Sequence, residues 1–274
     1  MQETMTLDLE FDVPIAAELE QWAEHAVFRP GAAVVLDVET GPLSWPEIEQ
    51  FFTPPAAPGE FDETTVKYGN TKDEAKRAAK LAECRANHQA LVDGHTATVE
   101  AARQEFISKA ALSAITGRVL AIGYHVPGVT DSPVIMGSNV VADVTEKPIL
   151  ADFWRKFSEW LDKKMTIVGH NLLAFDLPFL IRRSWKHGVT VSPGIRQGRW
   201  WNPLIRDTMV EWSMNPGMVK LDDLARFFGV GQKTEGVTGA DFARLWTENR
   251  QLACEYLRND VLMTSKVATA IGLI

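Results

Sequence analysis

The sequence contains little cysteine and no long apolar run. Its two cysteines, Cys84 and Cys254, do not form a Cys-x-x-Cys pair, which disfavours a disulfide framework and a cysteine-based zinc site. No apolar stretch approaches the roughly 18 residues that a membrane-spanning helix needs. The first residues, MQETMTLDLE, lack the basic and apolar regions of a signal peptide. These absences predict a cytoplasmic protein with reduced thiols and no membrane contact.

The overall composition is that of a globular protein. Hydrophobic residues make up 46% of the 274 residues and charged residues 23%, which excludes a disordered or collagen-like chain. The length suits one large domain, or one domain with an elaboration. We therefore predict a single domain over residues 1–274.

Charge is distributed unevenly along the chain. Residues 1–65 hold fourteen acids and one base, so the remaining residues carry a net charge of +5 although the whole chain carries −8. The segment from Arg182 to Arg206 contains six bases, three tryptophans and no acid. Such a segment can follow phosphates while its rings stack on bases. The alternative interpretation is a solvated helix and loop whose tryptophans belong to the core.

Hydropathy patterning predicts an α/β fold with a mixed sheet flanked by helices. The predicted strands are LDLEFDV, GAAVVLDVET, GRVLAIGYHV, SPVIMGSNVV and MTIVGHN. The predicted helices are IAAELEQWAEHAVF, ILADFWRKFSEWLDKK, FDLPFLIRRSWKHG, KLDDLARFFGV, GADFARLWTEN and QLACEYLRNDVLMTSKVATAIG.

Residues 54–112 read as a helical insertion between the first two main strands. The insertion is rich in Ala, Lys, Glu and Arg from residue 71 onward, and Asp93-Gly94 predicts a break between two helices. It leaves the sheet close to Asp37 and Glu39. A lid or guide for a bound strand and a dimerising helical hairpin are both consistent with this position.

Asp37 and Glu39 follow the apolar run AAVVL and are separated by one valine. Residues i and i+2 of a strand point to the same face, so the two carboxylates project together. Like charges in this position repel each other unless a cation neutralises them, and Mg²⁺ and Mn²⁺ prefer such oxygen ligands. Asp8 and Glu10 have the same spacing, but they lie in an alternating, half-exposed pattern. An exposed strand end is the alternative for Asp37 and Glu39.

Asp176 opens a predicted helix shortly after the buried strand that ends at Gly169. Ligands of α/β folds usually gather at such strand ends, although an ordinary helix N-cap would also explain an aspartate here. Asn202 and Asp207 repeat the spacing of Asn171 and Asp176. They lack the preceding buried strand, so we interpret Asp207 as structural.

Tyr256 and Asp260 stand four residues apart on the predicted last helix. Positions i and i+4 lie on the same helix face, so the phenol and the carboxylate are presented together. A surface pair on the helix is the alternative interpretation.

Taken in order, these patterns resemble the DEDD superfamily of 3′–5′ exonucleases, in its tyrosine-containing DEDDy branch, on a ribonuclease H-like fold. VVLDVETGP resembles the first exonuclease motif, GHNLLAFDLPFL the second and YLRND the third. VKLDDLARFFGV resembles the helix between the last two motifs. The resemblance covers about residues 31–272. It is nearest to the proofreading domain of family B DNA polymerases, in a stand-alone phage or bacterial form.

The resemblance implies a role for each matched residue. Two divalent metal ions, Mg²⁺ or Mn²⁺, would be held by Asp37, Glu39, Asp176 and Asp260. Tyr256 would orient the attacking water. The residues expected around the terminal nucleotide are Thr40, Asn171 and Phe175. His170 is expected to be structural, because the histidine branch has its base in the third motif, where this chain has Tyr256.

The implied activity is hydrolysis of single-stranded DNA from a free 3′ end, with release of 5′-mononucleotides. Trimming of RNA 3′ ends is a second possibility, because the motifs act on the same phosphodiester in either polymer. A catalytically inert nucleic-acid-binding domain is a third. Replication or repair proteins are the expected partners.

Overall fold

A computed structural model describes residues 32–137, 146–214, 217–232 and 238–274. The strand and helix predicted before Pro30 lie outside these residues, as does the end of the predicted strand SPVIMGSNVV. Seven strands are described: β1 (Ala33–Pro42), β2 (Gly117–His125), β3 (Val134–Met136), β4 (Thr166–Gly169), β5 (Arg196–Gln197), β6 (Trp200–Trp201) and β7 (Ile205–Asp207). The pair β5–β6 forms a separate hairpin.

The other five strands form one mixed sheet in the order β3-β2-β1-β4-β7. Strand β2 is antiparallel to β1 and β3, whereas β4 is parallel to β1 and β7. The helices are α1 (Trp45–Ile48), α2 (Glu74–Ala110), α3 (Lys147–Asp162), α4 (Leu177–His187), α5 (Thr208–Ser213), α6 (Leu221–Phe227), α7 (Phe242–Glu248) and α8 (Arg250–Ala270).

This architecture confirms the predicted ribonuclease H-like fold class. Strand β7 was not predicted, because three residues are too few to show a hydropathy period. Among the described helices, none combines the length and the apolar character needed to cross a bilayer.

Helices α3 and α4 pack together on one face of the sheet. Phe153 and Phe157 of α3 are fully buried there, and Trp154 beside them donates its indole N–H to the Ser184 hydroxyl of α4 at 2.7 Å. Burying each such ring contributes about 1.5–3 kcal/mol. Helix α4 ends at Gly188, whose φ of +62° is the left-handed conformation that terminates many helices. The predicted end of this helix is therefore correct.

The helix α2 is one continuous helix of 37 residues, so the predicted break at Asp93-Gly94 is wrong. The Asp93 side chain accepts a hydrogen bond from Gln89, and the Gly94 carbonyl accepts one from Thr98, each four residues away. A single glycine costs a helix only about 1 kcal/mol. The many good helix formers on both sides outweigh that cost.

The rest of the insertion is an extended arm and not a second long helix. After α1 and the 3₁₀ turn Glu49–Phe51, residues 52–72 run antiparallel to α2. Phe52 contacts Phe106 near the end of α2, at 5.5 Å between ring centroids, and Tyr68 lies under the Arg77 guanidinium near the start of α2. The insertion is therefore an arm laid along one long helix, and not the helical hairpin that was one of the two alternatives.

We predict that Gly94→Ala stabilises α2. Open space surrounds the position that a Cβ atom would take at this residue, so alanine fits without a clash and adds about 0.5–1 kcal/mol. Slower amide hydrogen exchange around residue 94 would report the gain. Gly188→Ala is the matched control and should destabilise, because its positive φ disfavours a Cβ. Faster exchange in Gly94→Ala would contradict a continuous helix.

Candidate active site

Three of the predicted acids meet at one place between β1 and α8. Asp37 and Glu39 are half-buried on β1, and Asp260 is buried on α8. Each offers one carboxylate oxygen, and these three oxygens all lie within 4.8 Å of one another. The i, i+2 spacing on the strand therefore places both β1 carboxylates toward the same helix, as predicted from the sequence.

Asp176 joins this group from the π-helical turn that precedes α4. Strand β1 pairs with β4 as far as Val35 and Val168, and further along β1 the N–H of Val38 donates to the Asp176 carboxylate. Complete burial, and then the charge of Asp37, raise the pKa of Asp176 well above its usual range. The fourth acid is thus buried beside the first.

Asp207 holds the turn that carries Asp176. Its carboxylate accepts the backbone N–H groups of Asn171, Leu173 and Met209, each at 2.9 Å. Asn171 adopts the left-handed conformation, with φ of +61°, at the start of this turn. The structural role predicted for Asp207 agrees with these contacts, which fix the backbone that presents Asp176.

His170 uses both ring nitrogens in structural contacts. Its Nε2 donates to the carbonyl oxygen of Val219 at 2.9 Å, and Nδ1 lies 2.8 Å from the Thr208 hydroxyl. The ring therefore ties β4 to α5 and to the segment before α6. This agrees with the structural role expected for His170.

Tyr256 is buried one turn before Asp260 on α8, with 1% of its surface exposed. Its hydroxyl oxygen lies 3.9 Å from the position that a Cβ atom on Gly239 would occupy, so the 3₁₀ turn Gly239–Asp241 approaches the phenol closely. No sequence pattern indicated this contact. A glycine seventeen residues before Tyr256 belongs to no recognisable motif.

The residues predicted to contact substrate have defined structural contacts. The Thr40 hydroxyl donates to the Ala111 carbonyl oxygen at 2.7 Å, which anchors the base of the insertion to β1. The Phe175 ring is half-buried and lies 5.6 Å from the Phe179 ring. Asn171 serves the turn described above. Contact of these three residues with a nucleotide remains a prediction.

The donor set fits divalent metal ions. Asp37, Glu39 and Asp260 lie close enough to repel one another, and Asp176 faces the charge of Asp37. Oxygen ligands such as these are the ones that Mg²⁺ and Mn²⁺ prefer. The residues that would hold such ions are Asp37, Glu39, Asp176 and Asp260. Two divalent cations would formally balance the four negative charges.

We predict that Asp207→Asn destabilises the protein by about 2–4 kcal/mol, since the amide places an N–H₂ group where a carboxylate oxygen now accepts an N–H bond. Urea unfolding measures the change. Because the turn also positions Asp176, any nuclease activity should fall as well. Asp131→Asn, at an exposed position, is the matched control. Unchanged stability in Asp207→Asn would contradict this role.

A family model described as a predicted 3′-5′ exonuclease related to the exonuclease domain of PolB matches residues 129–268, about half of the chain. The chain belongs to this family. The matched residues include Asp176, Tyr256 and Asp260, whereas Asp37 and Glu39 precede them. Membership in this PolB-related exonuclease family confirms the resemblance to family B polymerase exonuclease domains.

Among solved structures, the chain is similar to the family B DNA polymerase from the hyperthermophilic archaeon Pyrobaculum calidifontis. The two are 19% identical with a TM-score of 0.44, and the similarity covers 56% of this chain and 21% of the polymerase chain. The matched part of the chain spans about a fifth of the length of that polymerase. No curated protein matches this member of the PolB-related exonuclease family.

Proposed function

We propose that this protein is a metal-dependent 3′–5′ exonuclease that releases 5′-mononucleotides from single-stranded DNA. The observation that carries the proposal is the convergence of four carboxylates from three separate segments: β1, the turn before α4, and α8. Membership in the PolB-related exonuclease family supports it independently.

In the proposed reaction, the protein holds and orients the reacting groups. The four acids would hold two divalent ions, which, when bound, supply an activated water and offset the charge on the phosphate and the departing 3′-oxygen. The Tyr256 phenol hydrogen-bonds the attacking water and so directs it at the terminal phosphate. Low exposure keeps these groups in a medium where their electrostatic effects are strong.

The terminal nucleotide would lie beside the turn that precedes α4. Asn171 opens that turn and the half-buried Phe175 lies within it, while Thr40 lies one residue after Glu39 on β1. We propose that these three residues position the 3′-terminal sugar and base. Their rigid backbone contacts would lower the entropic cost of aligning the substrate.

The test is digestion of a 5′-labelled single-stranded DNA oligonucleotide. With Mg²⁺ or Mn²⁺ we expect a ladder of progressively shorter labelled products and free 5′-mononucleotides, and with EDTA no shortening. A 3′-blocked oligonucleotide is the matched substrate control. An RNA oligonucleotide of the same sequence tests the alternative substrate. Faster shortening of the RNA than of the DNA would favour the exoribonuclease. Absence of shortening on either polymer, with intact binding, would indicate the inert binding domain.

A further inference from the structure

A groove of about 920 Å³ opens between the end of β1 and the second half of α4. Arg182, Trp185 and Lys186 line it from α4, Arg118 lines it from β2, and Phe51 lines it from the 3₁₀ turn that follows α1. None of the four acids of the candidate active site lines this groove. It is therefore a second surface feature, with its own chemistry.

Three exposed cations line the groove. Arg118, Arg182 and Lys186 are exposed, and none of them forms an ion pair within residues 32–137, 146–214, 217–232 and 238–274. Exposed arginines elsewhere do pair: Arg155 contacts Asp152 and Glu159, and Arg244 contacts Glu248. An anion entering the groove would meet three positive charges that are available to it.

The two acids that border the groove are already engaged. The buried Glu146 binds Arg183 and His187 through one carboxylate oxygen and the Val119 N–H through the other. Glu47 is bonded to the Ser44 hydroxyl and N–H, which are the main reason that its pKa is lowered. The charge of Glu146 is therefore balanced by Arg183, whereas Glu47 stays ionised and offsets part of the charge of Arg118. Arg182 and Lys186 keep the groove positive.

An exposed aromatic ring stands among these cations. The Trp185 side chain is 70% exposed and lies between Arg182 and Lys186 in sequence on α4, while Phe51 across the groove is 48% exposed. For Trp185 the sequence alternative of a core tryptophan is therefore wrong. Positive charge with a flat apolar face is the chemistry that binds single-stranded nucleic acid, because phosphates contact the cations and bases stack on the ring. Duplex DNA could bind the cations through its phosphates, but its bases are already stacked on one another and cannot stack on Trp185.

The groove lies within a few nucleotides of the carboxylates. Asp176 directly precedes α4, and Arg182 and Lys186 lie about 9 Å and about 15 Å further along the helix axis, at 1.5 Å per residue. Leu43, which lines the groove, follows Glu39 by four residues, roughly 13 Å along an extended chain. A strand whose 3′ end occupies the acidic site can reach the groove with its upstream nucleotides.

We infer that this groove binds single-stranded nucleic acid upstream of the scissile 3′ end, with Trp185 stacked on a base and Arg118, Arg182 and Lys186 on phosphates. The inference rests on the proposed exonuclease function and adds to it a second contact site. The affinity for substrate should therefore depend on strand length, because only a strand of several nucleotides reaches both the carboxylates and the groove.

Binding of a 5′-fluorescein-labelled dT20 in EDTA, followed by fluorescence anisotropy, tests the groove without cleavage. We expect Trp185→Ala to weaken binding about 5- to 150-fold, the range for losing one base–aromatic stack, and Trp185→Phe to retain most of it. Arg182→Ala with Lys186→Ala should lower the slope of log affinity against log salt by about 1.4, for two single-strand phosphates. Lys163→Ala with Lys266→Ala, at exposed positions outside the groove, is the charge-matched control.

Cleavage of the dinucleotide dTpdT separates the groove from the active site. We expect the Trp185→Ala and Arg182→Ala/Lys186→Ala variants to cleave it at the wild-type rate, because it is too short to reach the groove. The inference would be overturned if the groove variants bound dT20 with the same affinity as the Lys163→Ala/Lys266→Ala control. That result would also be expected if the groove bound a protein partner instead. Equal losses on dinucleotide and dT20 would also overturn it. If the groove variants lose binding of dT20 but the wild type cleaves no substrate, the proposed exonuclease function is wrong, whereas the groove is still a binding site for single-stranded nucleic acid.

Discussion

Replacing Asp37 by alanine is expected to lower the rate of DNA shortening about 10³-fold or more. Asp37 is one of three acids whose oxygens lie within 4.8 Å of one another, and it also lies beside Asp176. Removing it takes a negative charge from the centre of the proposed metal site. Loss of one preorganised electrostatic contact at a reacting centre costs about 10²–10³ in rate, and a metal ligand should cost at least as much.

The measurement is the initial rate on 5′-labelled single-stranded DNA at saturating Mg²⁺. Asp8→Ala is the matched control, since Asp8 begins the other acidic pair with this spacing. Binding of dT20 by Asp37→Ala should persist, because the cations of the groove are unchanged. Activity that survives Asp37→Ala would mean a contaminating nuclease or a misassigned centre.

Replacing Asp176 by asparagine is expected to abolish activity and yet raise the stability of the metal-free protein. The carboxylate is fully buried and faces the charge of Asp37, so its ionised form opposes folding when no cation is present. We expect a gain of about 1–3 kcal/mol at pH 8 in EDTA, on the scale of one buried polar group that lacks compensation. In a domain of this size, each kcal/mol raises Tm by about 2–4 °C.

The same substitution should change the dependence of stability on pH. Because the pKa of Asp176 is raised in the folded state, the folded protein binds this proton more tightly than the unfolded chain does. The metal-free wild type therefore loses stability as pH rises from about 4, the ordinary value for aspartate, through the raised pKa. Asp176→Asn should lack that loss.

Thermal melts in EDTA and in Mg²⁺ across this pH range measure both effects. Asp207→Asn provides the contrast, because Asp207 accepts three backbone N–H bonds and should lose stability when it is neutralised. A lower Tm for Asp176→Asn in EDTA would contradict repulsion at this site. An equal rise in Tm on addition of Mg²⁺ to Asp176→Asn and to the wild type would also contradict it.

Local patterns predicted the elements whose residues interact with near neighbours in the chain. The alternation around Asp37 and Glu39 follows from strand geometry, and the end of α4 follows from Gly188. The length of α2 was misjudged, because one glycine is a weak signal against many helix-forming neighbours. The strand β7 was not predicted, because its pairing with β4 defines it and its own three residues show no strand pattern.

The amino-acid sequence by itself determined which side chains could form a metal centre, and that they stand on a strand, at the start of one helix and on the last helix. Only the tertiary structure decided that Asp37, Glu39 and Asp260 meet within 4.8 Å, that Asp207 fixes the turn of Asp176, and that exposed cations line one groove with Trp185. The physical reason is the distance along the chain over which each kind of interaction acts. Periodicity and capping act over a few residues, whereas the distances between carboxylates more than a hundred residues apart depend on how the sheet and helices pack.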